Sequence, residues 1–357
     1  MTNLSDDAFN CVDSNIVSLD LRGNMFSVLP RALAKLVNLT YLDIQNNPLT
    51  TLDYHVMSVI GKHLKEFHVD LLHFNSWPRE FRLLRAITTL EISFIQYHTL
   101  STDAFHGMES TLDTLRIEFP HMVNMPIAIC QLQNLHSLMF KYNNLHSPNA
   151  TMIIQCNRSL ILVTTLDLSF SNVRDFPDIF QTFPELTSLS LNHNALQYIN
   201  SDLVPAQNKL QKLYLSYNNF SRIPDAFNKF HLLTELEMQN NHIDAIYDTD
   251  FHNLKALTTL YLNDNGLQFI SSHAFKYNPK LNDLKLNNNR LRTVSSSITT
   301  LHSLRYLYLQ NNQIDCTCDL SSLQSWNVSS IYFIYGNCGS SSESLKHYVM
   351  NVLPGCQ

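Results

Sequence analysis

The stretch Leu281–Leu291, LNDLKLNNNRL, sets leucines at 281, 284, 286 and 291 and an asparagine at 289. The same frame returns 23 residues later at Leu304, Leu307, Leu309, Asn312 and Ile314, and stands 24 residues earlier at Leu257, Leu260, Leu262, Asn265 and Leu267. Working outward, thirteen copies begin at Ile16, Leu39, Leu64, Ile87, Leu112, Leu135, Val163, Leu186, Leu210, Leu233, Leu257, Leu281 and Leu304. A fixed period of this length is the mark of a solenoid. The central L-x-L reads as a short strand, because alternate side chains of a strand face opposite ways. Its leucines point inward, and the residues between them point out. One copy is too small to bury its own apolar face, so copies stack as a parallel sheet. The asparagine must turn inward after the strand. There its amide, with two donors and one carbonyl, can satisfy backbone groups that would otherwise cost about 1–3 kcal/mol each.

The pattern is that of the leucine-rich repeat. It implies an α/β leucine-rich repeat solenoid, with a curved parallel β-sheet on the concave face and loops and short helical turns on the convex face. Residues 1–15 read as the remnant of a preceding repeat without an N-terminal cap. Leu4-Ser-Asp-Asp-Ala-Phe9 parallels the returning halves Leu100–Phe105 and Ile270–Phe275. Residues 16–314 carry the thirteen repeats, and 315–357 form a cysteine-rich cap. The stretch 64–143 is irregular: Leu72, Ile95 and Pro120 hold the asparagine position. An apolar side chain cannot make the amide bonds and proline lacks an N–H, so a change of curvature or twist is expected there. The position returns to asparagine at Asn143, becomes Ser171 after a 28-residue repeat, and is asparagine from Asn194 to Asn312. Phe105, Phe180, Phe227, Phe251 and Phe275 recur on the convex segments as a stacked aromatic spine. Pro30, Pro126, Pro177 and Pro224 stand where the chain leaves the turn, where a fixed φ suits an extended exit.

Bulk properties narrow the function. The chain has 357 residues and a net charge of −6 with neutral histidine, so it lacks the basic footprint of a nucleic-acid binder. It contains no run of eighteen apolar residues, so membrane attachment would need a further segment. The opening MTNLSDDAFN does not read as a signal peptide. Glycine occurs seven times, with no phosphate-cradling loop, no G-x-S-x-G and no H-E-x-x-H. The sixteen histidines lack ligand spacing. The sequence therefore points to no enzyme, no cofactor and no metal.

After the last repeat come Cys316-Thr-Cys318-Asp-Leu, then Trp326, Cys338 and Cys356. A short stapled segment can cover the last apolar layer without a core of its own. Zinc fits poorly, because the spacing lacks a second close pair of ligands. CTCDLSSLQSW followed by two spaced cysteines resembles the C-terminal cap of extracellular leucine-rich repeat proteins, and the CTCDL form is most like Toll-like receptors. The resemblance covers nearly the whole chain. It implies the pairs Cys316–Cys338 and Cys318–Cys356, with Trp326 as the buried aromatic of the cap. It also implies a ligand-binding ectodomain that would associate as a homo- or heterodimer on binding. The membrane helix and cytoplasmic domain of such receptors are not in this sequence. Disulfides would place the chain in an oxidising compartment, extracellular or at the cell surface. Six sequons agree: Asn3, Asn38, Asn149, Asn157, Asn219 and Asn327. Cys130 and Cys156 lie on convex segments of successive repeats and either pair or stand as buried thiols; Cys11 has no evident partner.

Binding then falls to outward strand positions, for a protein or microbial ligand on the concave or lateral face. The residue before each asparagine position, from the fourth to the ninth repeat, is Phe94, Phe119, Tyr142, Phe170, His193 and Tyr217. Stacked repeats would set these roughly 5 Å apart as an aromatic stripe, and aromatics are enriched in binding hot spots. A second column, between the two strand leucines, is Asp20, Asp43, His68 and Glu91 at the start, with Tyr214, Tyr261 and Tyr308 among its last members. Tyrosine offers contact area, a hydroxyl and little rotamer entropy to lose. Two other readings share the pattern. One is a secreted matrix-type repeat protein. The other is an intracellular scaffold, which would have to keep the four cap cysteines as thiols.

Overall fold

The computed structural model describes residues 1–10, 15–120, 122, 124–145, 154, 156–324, 326, 328, 331–339 and 343–355. The chain divides into two compact units: unit 1 comprises Met1–Asn172 with Pro177–Leu186, and unit 2 comprises Val173–Phe176 with Thr187–Gln357.

Unit 1 holds β1 (Ser18–Asp20), β2 (Tyr41–Asp43), β3 (Glu66–Asp70), β4 (Thr89–Ser93), β5 (Thr114–Glu118), β6 (Ser137–Lys141) and β7 (Thr165–Asp167). They pair in chain order, all parallel. The register aligns the inward residues Leu42, Phe67, Leu90, Leu115, Leu138 and Leu166, each fully buried. The returning segments are short helices. Pro30, Pro78 and Pro126 immediately precede 3-10 turns at Arg31–Lys35, Arg79–Leu83 and Ile127–Gln131. A proline there has its φ already set and gives up an N–H that has no helical partner. Pro177 precedes no helix.

Unit 2 holds β8 (Ser188–Ser190), β9 (Lys212–Tyr214), β10 (Glu235–Glu237), β12 (Thr259–Tyr261), β14 (Asp283–Lys285), β15 (Tyr306–Tyr308) and β16 (Phe333–Tyr335) in one parallel order. A small pair, β11 (Ala245–Ile246) and β13 (Phe269–Ile270), lies on the returning side. There Phe227, Phe251 and Phe275 are buried, and the last two stack with centroids 5.9 Å apart.

The asparagine ladder explains why these strands are short. The Asn241 Nδ2 donates to the carbonyls of Met238, in its own strand turn, and Leu215, one repeat back, both at 3.0 Å. Its Oδ1 accepts from the Phe220 N–H at 3.0 Å. Asn218, Asn265, Asn289 and Asn312 repeat the three bonds. In unit 1, Asn47 does the same with Ile44, Leu21 and Phe26. Each amide takes over backbone groups that a longer strand would have used, so the strand stops.

Where Leu72, Ile95 and Pro120 replace the asparagine the strands run on. β3, β4 and β5 are five residues long instead of three, with the extra pairs Ile92↔Ile117 and Ser93↔Glu118. Backbone groups must bond somewhere, and here they bond across the sheet. Asn143 fills the consensus position without resuming the ladder. β5 and β6 pair over Ile117↔Phe140 and Glu118↔Lys141, so the neighbouring backbone is already engaged. Asn143 reaches only the Lys141 carbonyl, at 3.1 Å, and its buried Oδ1 finds no partner among the described residues.

This difference is measurable. Asn241→Ala strands three buried backbone groups and is expected to cost about 2–4 kcal/mol in urea unfolding, whereas Asn143→Ala costs less than about 1 kcal/mol.

Candidate functional site

The residue before the asparagine position takes the left-handed region, also where Ile95, Pro120 and Ser171 fill that position. In unit 1 that residue is Gly23 (φ 67°), Asn46 (56°), Phe94 (58°), Phe119 (53°), Tyr142 (58°) and Phe170 (58°). In unit 2 it is His193 (53°), Tyr217 (56°), Asn240 (56°), Asp264 (55°), Asn288 (56°) and Asn311 (57°). Glycine, asparagine and aspartate suit this conformation, and a bulky side chain there costs about 1–2 kcal/mol. The chain therefore places six rings where strain opposes them.

The rings are ordered. In unit 1, Phe94 and Phe119 stack at 4.8 Å and 6°, Phe119 and Tyr142 at 4.2 Å and 11°, and Tyr142 and Phe170 at 4.7 Å and 19°. In unit 2, His193 and Tyr217 stack at 4.0 Å and 11°. Stacking contributes about 0.5–1.5 kcal/mol per pair, enough to offset the backbone strain. It does not bury the rings: Tyr142, Phe170 and Tyr217 keep 36%, 39% and 48% of their surface in solvent. Burial holds the His193 imidazole below its ordinary pKa. Of the expected stripe, four rings stack in succession within unit 1 and two stack within unit 2.

The second column divides differently from its sequence reading. In unit 1 its charges are committed to one another. Asp43, 1% exposed, lies 3.3 Å from both Arg22 Nε and His68 Nδ1. The His68 Nε2 is 2.9 Å from Glu66, and Arg116 Nη1 is 3.3 Å from Glu91. In unit 2, the Tyr214 hydroxyl donates to Glu235 and the Tyr261 hydroxyl to Asp283, each at 3.1 Å. Burial first, then the adjacent carboxylates, push both phenols well above their usual range. These two tyrosines serve the sheet. Tyr308 differs, stacking on Tyr335 of the cap at 5.3 Å.

Sequence reading missed Phe333 and Tyr335. They belong to β16, which extends the parallel sheet of unit 2 into the cap, with Ile334 in register with Leu307. The F-I-Y alternation of period two was the available signal.

The structure joins Cys316 to Cys338, and Cys318 is also disulfide-bonded. Cys356 and Cys11 lie outside the described residues. Cys130 and Cys156 form a disulfide, with Cα atoms 5.4 Å apart, which decides between the two sequence readings. Asn3, Asn38, Asn157 and Asn219 are exposed, while Asn149 and Asn327 lie outside the described residues. Among the described residues no helix is long and apolar enough to cross a membrane, and no cluster of metal-ligating side chains occurs.

Two substitutions probe this geometry. Tyr217→Asn trades a stack for a relaxed backbone and is expected to leave stability within about 1 kcal/mol of wild type, read from urea unfolding. Asp70 is buried and accepts the Asn46 N–H at 2.6 Å, yet burial, with Asp43 and Glu91 nearby, raises its pKa. Its charged form thus weakens the fold at neutral pH. Asp70→Asn should stabilise at pH 7, and the gain should vanish as pH falls through the raised pKa, where the native carboxyl takes up its proton.

Comparison with known proteins adds the family. The leucine rich repeat family models match residues 161–220, 184–243, 208–267 and 255–314, and also 38–58 and 303–326. No curated protein matches the sequence. Among solved structures, Toll in its complex with Spatzle, from Drosophila, superposes with a TM-score of 0.66 at 19% identity, over 94% of this chain and 49% of that one. A leucine-rich repeat protein of Leptospira interrogans gives 0.68 at 20%, over 100% and 92%. TLR13 in its complex with ssRNA13 gives 0.55 at 17%, over 88% and 63%. The chain spans about half the length of the Toll chain. Repeat frame, strand order and these matches together make the chain a leucine-rich repeat protein whose fold resembles Toll-like receptor ectodomains.

Proposed function

We propose that the chain is an extracellular recognition module of the Toll-like receptor kind, which binds a protein ligand and has no catalytic mechanism. One observation carries the reading: Phe94, Phe119, Tyr142 and Phe170 form an ordered, half-exposed ridge at positions whose backbone favours asparagine or glycine. A fold seeking only stability would place asparagine there, as it does at Asn240, Asn288 and Asn311. Rigid aromatics lose little entropy on contact. Disulfides at Cys130–Cys156 and Cys316–Cys338 and the exposed sequons support an oxidising, extracellular setting. Toll is solved with a protein, Spatzle, and TLR13 with ssRNA. The net charge of −6 and the internally paired sheet face of unit 1 favour a protein for this chain. Signalling would follow from ligand-driven association of two ectodomains, continued by segments beyond this sequence.

The test screens the chain against an array of secreted and cell-surface proteins from its source, with lipopeptide and single-stranded RNA alongside. The triple variant Phe119→Asn, Tyr142→Asn, Phe170→Asn should retain the wild-type circular dichroism spectrum yet lose at least about tenfold in affinity for the captured protein, the effect of one hot-spot residue or more. Unchanged affinity, or binding of RNA or lipopeptide alone, contradicts the reading.

A further inference from the structure

The outward face of unit 2 is satisfied internally over β9 to β12 but not at its cap end. Lys212 pairs with Glu235 at 3.1 Å, and the Tyr214 and Tyr261 hydroxyls are held by carboxylates. From β14 onward the matching stops. Tyr306 and Phe333 stack at 5.8 Å, Tyr308 and Tyr335 at 5.3 Å, and Phe333 and Tyr335 at 5.7 Å, all within 16° of parallel. Phe333 and Tyr335 remain 47% and 42% exposed. Among the described residues, the hydroxyls of Tyr306, Tyr308 and Tyr335 make no hydrogen bond.

One cation borders this four-ring cluster. Lys285 Nζ sits 3.6 Å over the Tyr261 ring and 5.7 Å from that of Tyr308, with no ion pair among the described residues. The acid in register with Tyr306, Asp283, is bound by the Tyr261 hydroxyl. An aromatic cluster bordered by a lysine that Asp283 attracts only at longer range than an ion pair complements a ligand that brings both a carboxylate and apolar side chains.

We propose that this cap-end patch, built from Lys285, Tyr306, Tyr308, Phe333 and Tyr335, docks an acidic, aromatic-bearing segment of a partner protein. The inference rests on the recognition-module reading but concerns residues of unit 2 rather than the unit 1 ridge. β16 makes the patch: without the cap strand, β15 would present two tyrosines and no cluster.

The probe is fluorescein-labelled poly(Glu,Tyr), followed by fluorescence polarisation against the whole chain, with poly(Lys,Tyr), poly(U) RNA and heparin as comparators. A protein of net charge −6 has no general attraction for a polyacid, so saturable binding must be local. Wild type should bind poly(Glu,Tyr) in preference to poly(Lys,Tyr). Lys285→Glu and Tyr335→Ser should each weaken it at least tenfold, and Phe119→Asn should leave it unchanged. That last arm separates failure of this patch from failure of the ridge. If Tyr335→Ser disturbs the fold, Lys285→Glu, shown by circular dichroism to keep the wild-type spectrum, carries the test. Absence of binding, preference for poly(Lys,Tyr), no loss with Lys285→Glu, or equal competition by heparin or poly(U) overturns the proposal.

Discussion

A buried side-chain amide linking successive turns is the constraint on which the structure depends. Asn218, Asn241, Asn265, Asn289 and Asn312 each spend both amide hydrogens on carbonyls of two adjacent repeats and accept an N–H from the turn before. This lets a strand end after three residues without orphaning backbone groups in the core. Strand length, turn conformation and the placing of outward side chains follow from it. The five-residue strands β3 to β5 are the control that nature supplies: their repeats lack the asparagine, and the backbone finds its partners by extending the sheet.

The same turn links fold to surface. It requires one left-handed residue per regular repeat, and that residue projects at the edge of the sheet. Asparagine there adds little to the surface. An aromatic strains the backbone, regains the loss by stacking on its neighbour, and leaves a ridge in solvent. On the proposed reading, recognition and folding meet at this one position of the repeat. The tyrosines between the strand leucines follow another logic. Tyr214 and Tyr261 stabilise acids on the sheet face, and only at the cap end do aromatics stand free of such pairing.

Most of the fold was legible because leucine spacing fixes strand period and parallel register together. The aromatic column was legible for the same reason, since register carries each residue to its neighbour. What spacing could not reveal was set by contacts with no period. Asn143 matches the consensus, but its neighbouring backbone is already paired, so its amide has little to do. The pairing of Cys130 with Cys156 depends on where a 28-residue repeat returns, and length alone does not give that. The strand Phe333–Tyr335 lies inside the cap, where no leucine frame announces it. The acidic start of the second column looked open in sequence, and the pairing of Asp43 with Arg22 and His68 closes it.

An extracellular recognition role makes its sharpest demand on covalent chemistry, because a reducing cytosol would leave these cysteines as thiols. The decisive measurement is a non-reducing peptide map, by mass spectrometry, of protein taken from its native source. The account predicts linked peptides for Cys130–Cys156, Cys316–Cys338 and Cys318–Cys356, with glycan on at least one of Asn3, Asn38, Asn157 and Asn219. Free thiols at all these cysteines and bare sequons would contradict it and leave an intracellular scaffold as the better description.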